Sequence, residues 1–212
     1  MKPIFLLWAL LGSCIGLPAQ NGPLDSVPRH FTVGLNITNT LGNFLGSGAA
    51  LTSDPYLLNF RIGNARRRLR LGLNFKVRDK RDPDQSSIFS EKSTDFRARL
   101  GYEWTLPMSR RLSAYWGLDG VFEYNTDDIR TSFQSGGARL QTRQGGLGGG
   151  PVFGINWWVH PRVALSTECS LYAIGRRGRE RVTAPPDFSD QPIRDFVWQP
   201  LLPTSLYLNF SF

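Results

Sequence analysis

The sequence predicts an all-β protein: an eight-stranded antiparallel up-and-down transmembrane β-barrel with the N and C termini periplasmic. Three observations carry this. Eight stretches alternate apolar and polar residues with a period of two, the pattern of a strand with one dry and one wet face. The connections between them alternate short and long. A secretory signal opens the chain.

That signal is read over residues 1–19. Lys2 supplies the positive start, Ile4 to Leu11 form an uncharged apolar run, and Leu17-Pro18-Ala19 reads as the cleavage site. The run is too short to cross ~30 Å of hydrocarbon as a helix. Leu11-Gly12-Ser13-Cys14 resembles a lipobox, so lipidation at Cys14 stands beside cleavage near Ala19 as a second reading. Residues 20–212 then form the barrel domain, with a charge of +7. Export removes nucleic acid as the partner of this basic, arginine-rich chain.

The eight segments follow in order. The first sets Phe31, Val33, Leu35 and Ile37 against Thr32, Gly34 and Asn36. The second sets Tyr56, Leu58, Phe60 and Ile62 against Asn59 and Arg61. The third alternates Leu69, Leu71, Leu73, Phe75 and Val77 with Arg68, Arg70, Asn74, Lys76 and Arg78. The fourth runs Phe96 to Trp104 against Asp95, Arg97, Arg99 and Glu103. The fifth sets Leu112, Ala114, Trp116, Leu118, Phe122 and Tyr124 against Ser113, Asp119 and Glu123. The sixth, from about Gly146 to Val159, is blurred by glycines but keeps Phe153, Ile155 and Trp157. The seventh sets Val163, Leu165, Cys169 and Leu171 against Ser166, Glu168 and Ser170. The eighth carries Leu202, Leu206, Leu208, Phe210 and Phe212 against Ser205, Tyr207, Asn209 and Ser211.

Short connections fall at Gly63–Arg67, Pro107–Arg110 and His160–Arg162. Long polar ones fall at Asn39–Asp54, Asp79–Ser93, Thr126–Gln141 and Gly175–Val197. Periodicity leaves the direction of the dry face open, because a soluble lipocalin-like barrel turns its apolar residues inward. Three features favour lipid. The chain ends on Phe212, with Leu206, Leu208 and Phe210 at alternate positions before it. Trp104, Trp116, Trp157, Tyr56, Tyr102 and Tyr124 add aromatic bulk to the apolar face, many near segment ends, where such rings suit a lipid–water boundary. The opposite face interleaves Arg61, Arg68, Arg70, Lys76, Arg78, Arg97 and Arg99 with Asp95, Glu103, Asp119, Glu123 and Glu168. Inside a barrel this narrow such charges must pair, since an unpaired buried ion costs several kcal/mol.

On these grounds the mature chain resembles the small eight-stranded outer-membrane barrels of Gram-negative cells, of the OmpA transmembrane-domain and OmpX-like architecture. The terminal Leu206–Phe212 pattern resembles the signal by which such barrels engage the assembly machinery. The resemblance implies outer-membrane lipid as the surroundings; it is architectural and transfers no functional residue.

Chemistry is sparse. His30 and His160 fall at the short-turn side, away from an outer leaflet, and read as structural. Gly145 to Gly150 lacks the Lys-Ser/Thr of a phosphate loop and reads as glycine that relieves crowding. Arg176, Arg177, Arg179 and Arg181, in the last long loop, could grip lipopolysaccharide phosphates. Arg66–Arg68 and Arg110-Arg111 mark periplasmic turns. Asp79 to Asp84 and Asp127-Asp128 fit no EF-hand loop, so no metal is assigned, and no cofactor is expected. Cys169 should face lipid as a small apolar residue. The function expected is that of a non-enzymatic integral outer-membrane protein with a salt-bridged lumen and recognising outer loops, of unspecified protein partner. The alternatives are an outer-leaflet lipid A-modifying enzyme, a narrow pore and a soluble lipid carrier.

Overall fold

The computed structural model describes residues 31–38, 56–82, 88–133, 136–184, 187–203 and 205–212. The leader, Cys14, His30 and the whole Asn39–Asp54 connection lie outside them. Nine antiparallel strands follow one another: β1 (Phe31–Asn36), β2 (Leu58–Gly63), β3 (Arg67–Asp82), β4 (Ile88–Pro107), β5 (Leu112–Phe133), β6 (Gly136–His160), β7 (Val163–Ala184), β8 (Asp187–Leu201) and β9 (Tyr207–Ser211). Each of β1 to β7 pairs with its sequence neighbours. The ring closes where β9 pairs with β1 on one side and β7 on the other, through Thr32↔Ser211 and Val163↔Phe210.

Nine strands fill eight positions. β8 and β9 share the last one, β8 against the upper half of β7 and β9 against its lower half. The eighth segment is therefore broken. Its pairing with β7 passes from Ser170↔Leu201 to Ser166↔Tyr207, so the eighth position carries two more residues than β7 across the same gap. Pro200 stands just before the break and Pro203 within it, and proline cannot donate to a ladder.

The three short turns lie with the two ends of the ring's chain, where Phe212 N donates to Phe31 O at 2.9 Å. In the first turn Asn64 Oδ1 accepts from the backbone N–H groups of Arg66 and Arg67, and Gly63 adopts a φ of 147° that a side chain would strain. Ser109 Oγ accepts from Leu112 N in the second, and His160 Nδ1 accepts from Arg162 N in the third. The hairpins β3–β4, β5–β6 and β7–β8 project from the opposite end.

Burial is inside out. Leu69, Phe75 and Leu100 are more than half exposed, while Arg70 between them is 0% exposed. Outward apolar residues form a continuous band. On β4 it runs from Phe96 to Leu106, ten steps of ~3.3 Å, or ~25 Å of height at a tilt of ~40°. That matches the apolar belt of an outer-membrane barrel. Aromatic rings edge it. Trp104 stacks on Trp116 at 4.3 Å, and Phe31 lies 6.4 Å from Phe212, on the short-turn side. Phe96–Phe122 and Phe196–Trp198 lie toward the hairpins.

Three sequence expectations are corrected. The connections expected at Asp79–Ser93, Thr126–Gln141 and Gly175–Val197 are mostly strand: β3 runs to Asp82, β5 to Phe133, β7 to Ala184 and β8 from Asp187 to Leu201. Beyond the apolar band both faces of the sheet meet water, so alternation disappears while the ladder continues. Tyr56 points inward, 1% exposed, because a bend at Leu57 shifts the parity ahead of β2. The run Arg176–Arg181 lies within β7, not in a loop.

Candidate functional site

Inward positions of β2 to β7 converge on one layer of charge. The strands supply it by parity: Arg61 on β2, Arg70 on β3, Arg99 and Glu103 on β4, Asp119 on β5 and Glu168 on β7 all share the face opposite the apolar band. None of the six is more than 4% exposed.

Glu168 is the hub. Arg70 Nη2 donates to both its oxygens, at 3.0 and 2.8 Å, and Arg99 Nη1 donates to Oε1. Tyr115 Oη donates to Oε2 at 2.8 Å. Arg70 also lies 3.3 Å from Asp119 and 3.7 Å from Glu103. Arg61 Nε lies 3.4 Å from Glu103, its Nη1 donates to Asn156 and its Nη2 to Tyr115 Oη. Tyr172 Oη donates to Asp119 Oδ2 at 2.8 Å. Aromatic faces complete the shell: the Arg61 guanidinium lies 4.6 Å from the Tyr115 ring centre and that of Arg99 lies 4.3 Å from Tyr56. Three guanidinium groups meet three carboxylates, so the layer is neutral in sum, and each burial cost is opposed by several partners.

Space for this layer comes from inward glycines. A Cβ at Gly72 would strike the Arg99 side chain, one at Gly101 would strike Asp119, and one at Gly154 would strike the Tyr115 hydroxyl. Gly146 makes the same room for Glu123. Above the layer, Tyr56, Val121, Tyr172 and Ile174 form an apolar cluster inside the barrel, with Leu201 packed on it.

The remaining charges expected in the lumen are placed differently. Asp95 and Arg97 are half-buried and pair with one another at 3.1 Å, higher in the barrel. Glu123 is buried and accepts from Arg176 Nε, so Arg176 faces inward and not toward a surface anion. Arg68 is buried beside the first turn, its Nε donating to Asn64 O. Lys76 and Arg78 share the inward face of β3 but are exposed among the described residues. Arg177, Arg179 and Arg181 point outward and are exposed. Leu206, Leu208, Phe210 and Phe212 lie on the outward side of the last ring position, with Phe210 and Phe212 exposed.

Sequence reasoning missed Tyr115 and Asn156, both in the layer, and Tyr172, whose hydroxyl reaches it from the cluster above. The signal was available, since each occupies the polar parity of its strand. Cys169 is on the outward face and is a free thiol. His160, the one histidine among the described residues, is exposed at the short-turn end. Among the described residues no group of His, Cys, Asp and Glu is arranged to hold a metal ion.

No protein-family model matches the chain, and no curated protein matches it in sequence. Solved structures share a likeness of fold. CarO2 of Acinetobacter baumannii aligns over 88% of this chain and 99% of its own, at 11% identity and a TM-score of 0.45. CarO of the same organism aligns over 89% and 99%, at 10% identity and 0.43. The ferric yersiniabactin uptake receptor FyuA of Yersinia pestis aligns over 68% of this chain at 8% identity and 0.47, and the chain spans only 23% of that receptor. By its closed antiparallel ring, its outward apolar band and its inward charges, the chain is a small β-barrel of the outer-membrane type.

Proposed function

We propose that this chain is a non-enzymatic integral protein of the Gram-negative outer membrane whose lumen is plugged by its own ion pairs. The short-turn end and both termini face the periplasm in this reading, and the long hairpins face outward and carry recognition. Residues 1–19 serve as the export signal, and the Leu206–Phe212 pattern engages the assembly machinery. Outer-leaflet lipid is the surrounding partner.

One observation carries the plug. Arg61, Arg70, Arg99, Glu103, Asp119 and Glu168 come from five different strands and meet in a single buried layer. An eight-position barrel has room only for side chains at such a level. A solute would have to break several mutually dependent ion pairs to pass.

Planar bilayer recording tests this. The wild type should give no large steady channel, and Arg70→Ala combined with Glu168→Ala should raise the ion leak. A large steady conductance from the wild-type barrel overturns the plug.

A further inference from the structure

Just beyond the apolar band, on the outward face at the hairpin end, the sheet carries a collar of charge. Most of its cations are matched. Asp79 lies 3.6 Å from Arg81 and 3.7 Å from Lys92, Asp128 takes both Arg130 and Arg139, and Asp190 takes Arg181. Four adjacent arginines are not. Arg143 on β6, Arg177 and Arg179 on β7 and Arg194 on β8 are exposed, and no carboxylate among the described residues lies within ion-pair distance of them.

Their register brings them together. Arg143 stands directly opposite Arg179, and Arg177 directly opposite Arg194. Directly opposed residues on antiparallel strands have Cα atoms roughly 4.5–5.5 Å apart. Like charges placed so are destabilising on a bare sheet. Two such pairs side by side make a compact tetracationic patch that an anion would relieve.

The surface beneath the patch suits an acyl chain. Outward Gly145 and Gly175 leave open space, with nothing nearer than 3.9 Å to a Cβ built on either. Leu147 and Phe196 stand opposite Gly175 on either side, so the trough has apolar walls. Charge above and an apolar trough below is the order of groups in a phospholipid or lipid A molecule standing in a leaflet.

We propose that Arg143, Arg177, Arg179 and Arg194 form a binding site for the phosphate of an anionic outer-leaflet lipid, with its acyl chain along the Gly145–Gly175 trough. This rests on the membrane reading above and deepens it. Guanidinium groups bind phosphate by paired, charge-assisted hydrogen bonds, and four of them can engage a bisphosphorylated headgroup.

The test is native mass spectrometry of the folded full-length barrel in a neutral sugar detergent. The probes are bisphosphorylated lipid A, the same lipid without its phosphates, phosphatidylcholine, and inorganic phosphate. The variant is Arg143→Gln, Arg177→Gln, Arg179→Gln and Arg194→Gln together. The control removes equal charge at the other end, through Arg66→Gln, Arg67→Gln, Arg110→Gln and Arg111→Gln.

Wild type and control should retain bisphosphorylated lipid A roughly tenfold better than the quadruple variant. Phosphate-free lipid and phosphatidylcholine should show no such difference. The quadruple variant should also unfold no more easily than wild type in neutral detergent, since it has lost repulsion. Equal retention by variant and wild type overturns the site. Retention independent of phosphate overturns it too, and full competition by millimolar inorganic phosphate assigns the patch to a free anion instead of a lipid. Failure of the wild type to require detergent would overturn the membrane reading itself, an outcome separate from all of these.

Discussion

Arg70 and Glu168 meet at 2.8 Å across the full width of the barrel. Their strands, β3 and β7, stand four places apart in a ring of eight, as far as the ring allows. The pair therefore ties opposite walls together, and Arg99, Tyr115 and Asp119 tie further strands to the same point.

Removing the hub should cost more than removing any surface charge. Glu168→Gln leaves three buried guanidinium groups short of a shared counter-charge, a loss of about 3–5 kcal/mol. Arg181→Gln, at an exposed pair with Asp190, should change stability by about 0–1 kcal/mol. Denaturant unfolding in detergent, followed by the heat-modifiable folded band on a gel, compares them. Similar shifts for the two would contradict the structural role given to the layer.

Glycine placement predicts a sharp contrast on neighbouring strands. Gly101→Val would drive a side chain into Asp119 and the Leu118 carbonyl, whereas Gly120→Val faces outward and meets only the Leu100 carbonyl, at 3.6 Å. The first should abolish or strongly reduce the folded band and the second should leave it nearly unchanged, with overpacking costs of about 1–3 kcal/mol or more separating them. Refolding yields into detergent micelles give the answer.

Acid should weaken the β5–β6 hairpin through Asp128. Arg139 hydrogen-bonds this carboxylate at 2.7 Å and, against the opposing effect of partial burial and with help from Arg130, holds its carboxyl well below the usual range. A carboxyl depressed on folding stabilises the folded state above the unfolded-chain value of about 4, and that contribution drains away as pH falls. Wild type should thus exceed Asp128→Asn in stability at pH 7, and the gap should narrow at pH ~3. A gap independent of pH, measured by unfolding of both proteins in the same detergent, would remove Asp128 from this role.

Phe212 separates assembly from stability. Its ring packs 6.4 Å from Phe31 but remains largely exposed on the outward face, so its truncation should cost the refolded barrel little. In cells the same truncation should sharply lower the folded, membrane-inserted fraction if the terminal pattern is read by the assembly machinery. Equal insertion of the two chains in cells would remove that signal role.

Much of the barrel was legible because a strand between lipid and a filled lumen must alternate. Arg61, Arg70, Arg99, Glu103, Asp119 and Glu168 could be assigned to one face by counting in twos. The count failed wherever solvent touched both faces. The upper halves of β5 to β7 and the whole of β8 carry too little apolar rhythm for such a count, which therefore puts Arg176–Arg181 in a loop. Arg176 then proved to serve Glu123 inside the wall. Period-two counting also says nothing about partners across the lumen, since Arg70 and Glu168 lie 98 residues apart.

The sequence by itself determined the eight-position ring, the short-turn sites and which charges share the inner face, because these follow from local alternation and turn chemistry. Only the tertiary structure decided that the eighth position is two strands, that Tyr56 turns inward, and that four arginines on three strands stand unmatched on the outer face. The first and last depend on register between distant segments, which is set by closing the ring and not by any residue's neighbours in the chain, and the second on a bend at Leu57 that counting in twos does not register.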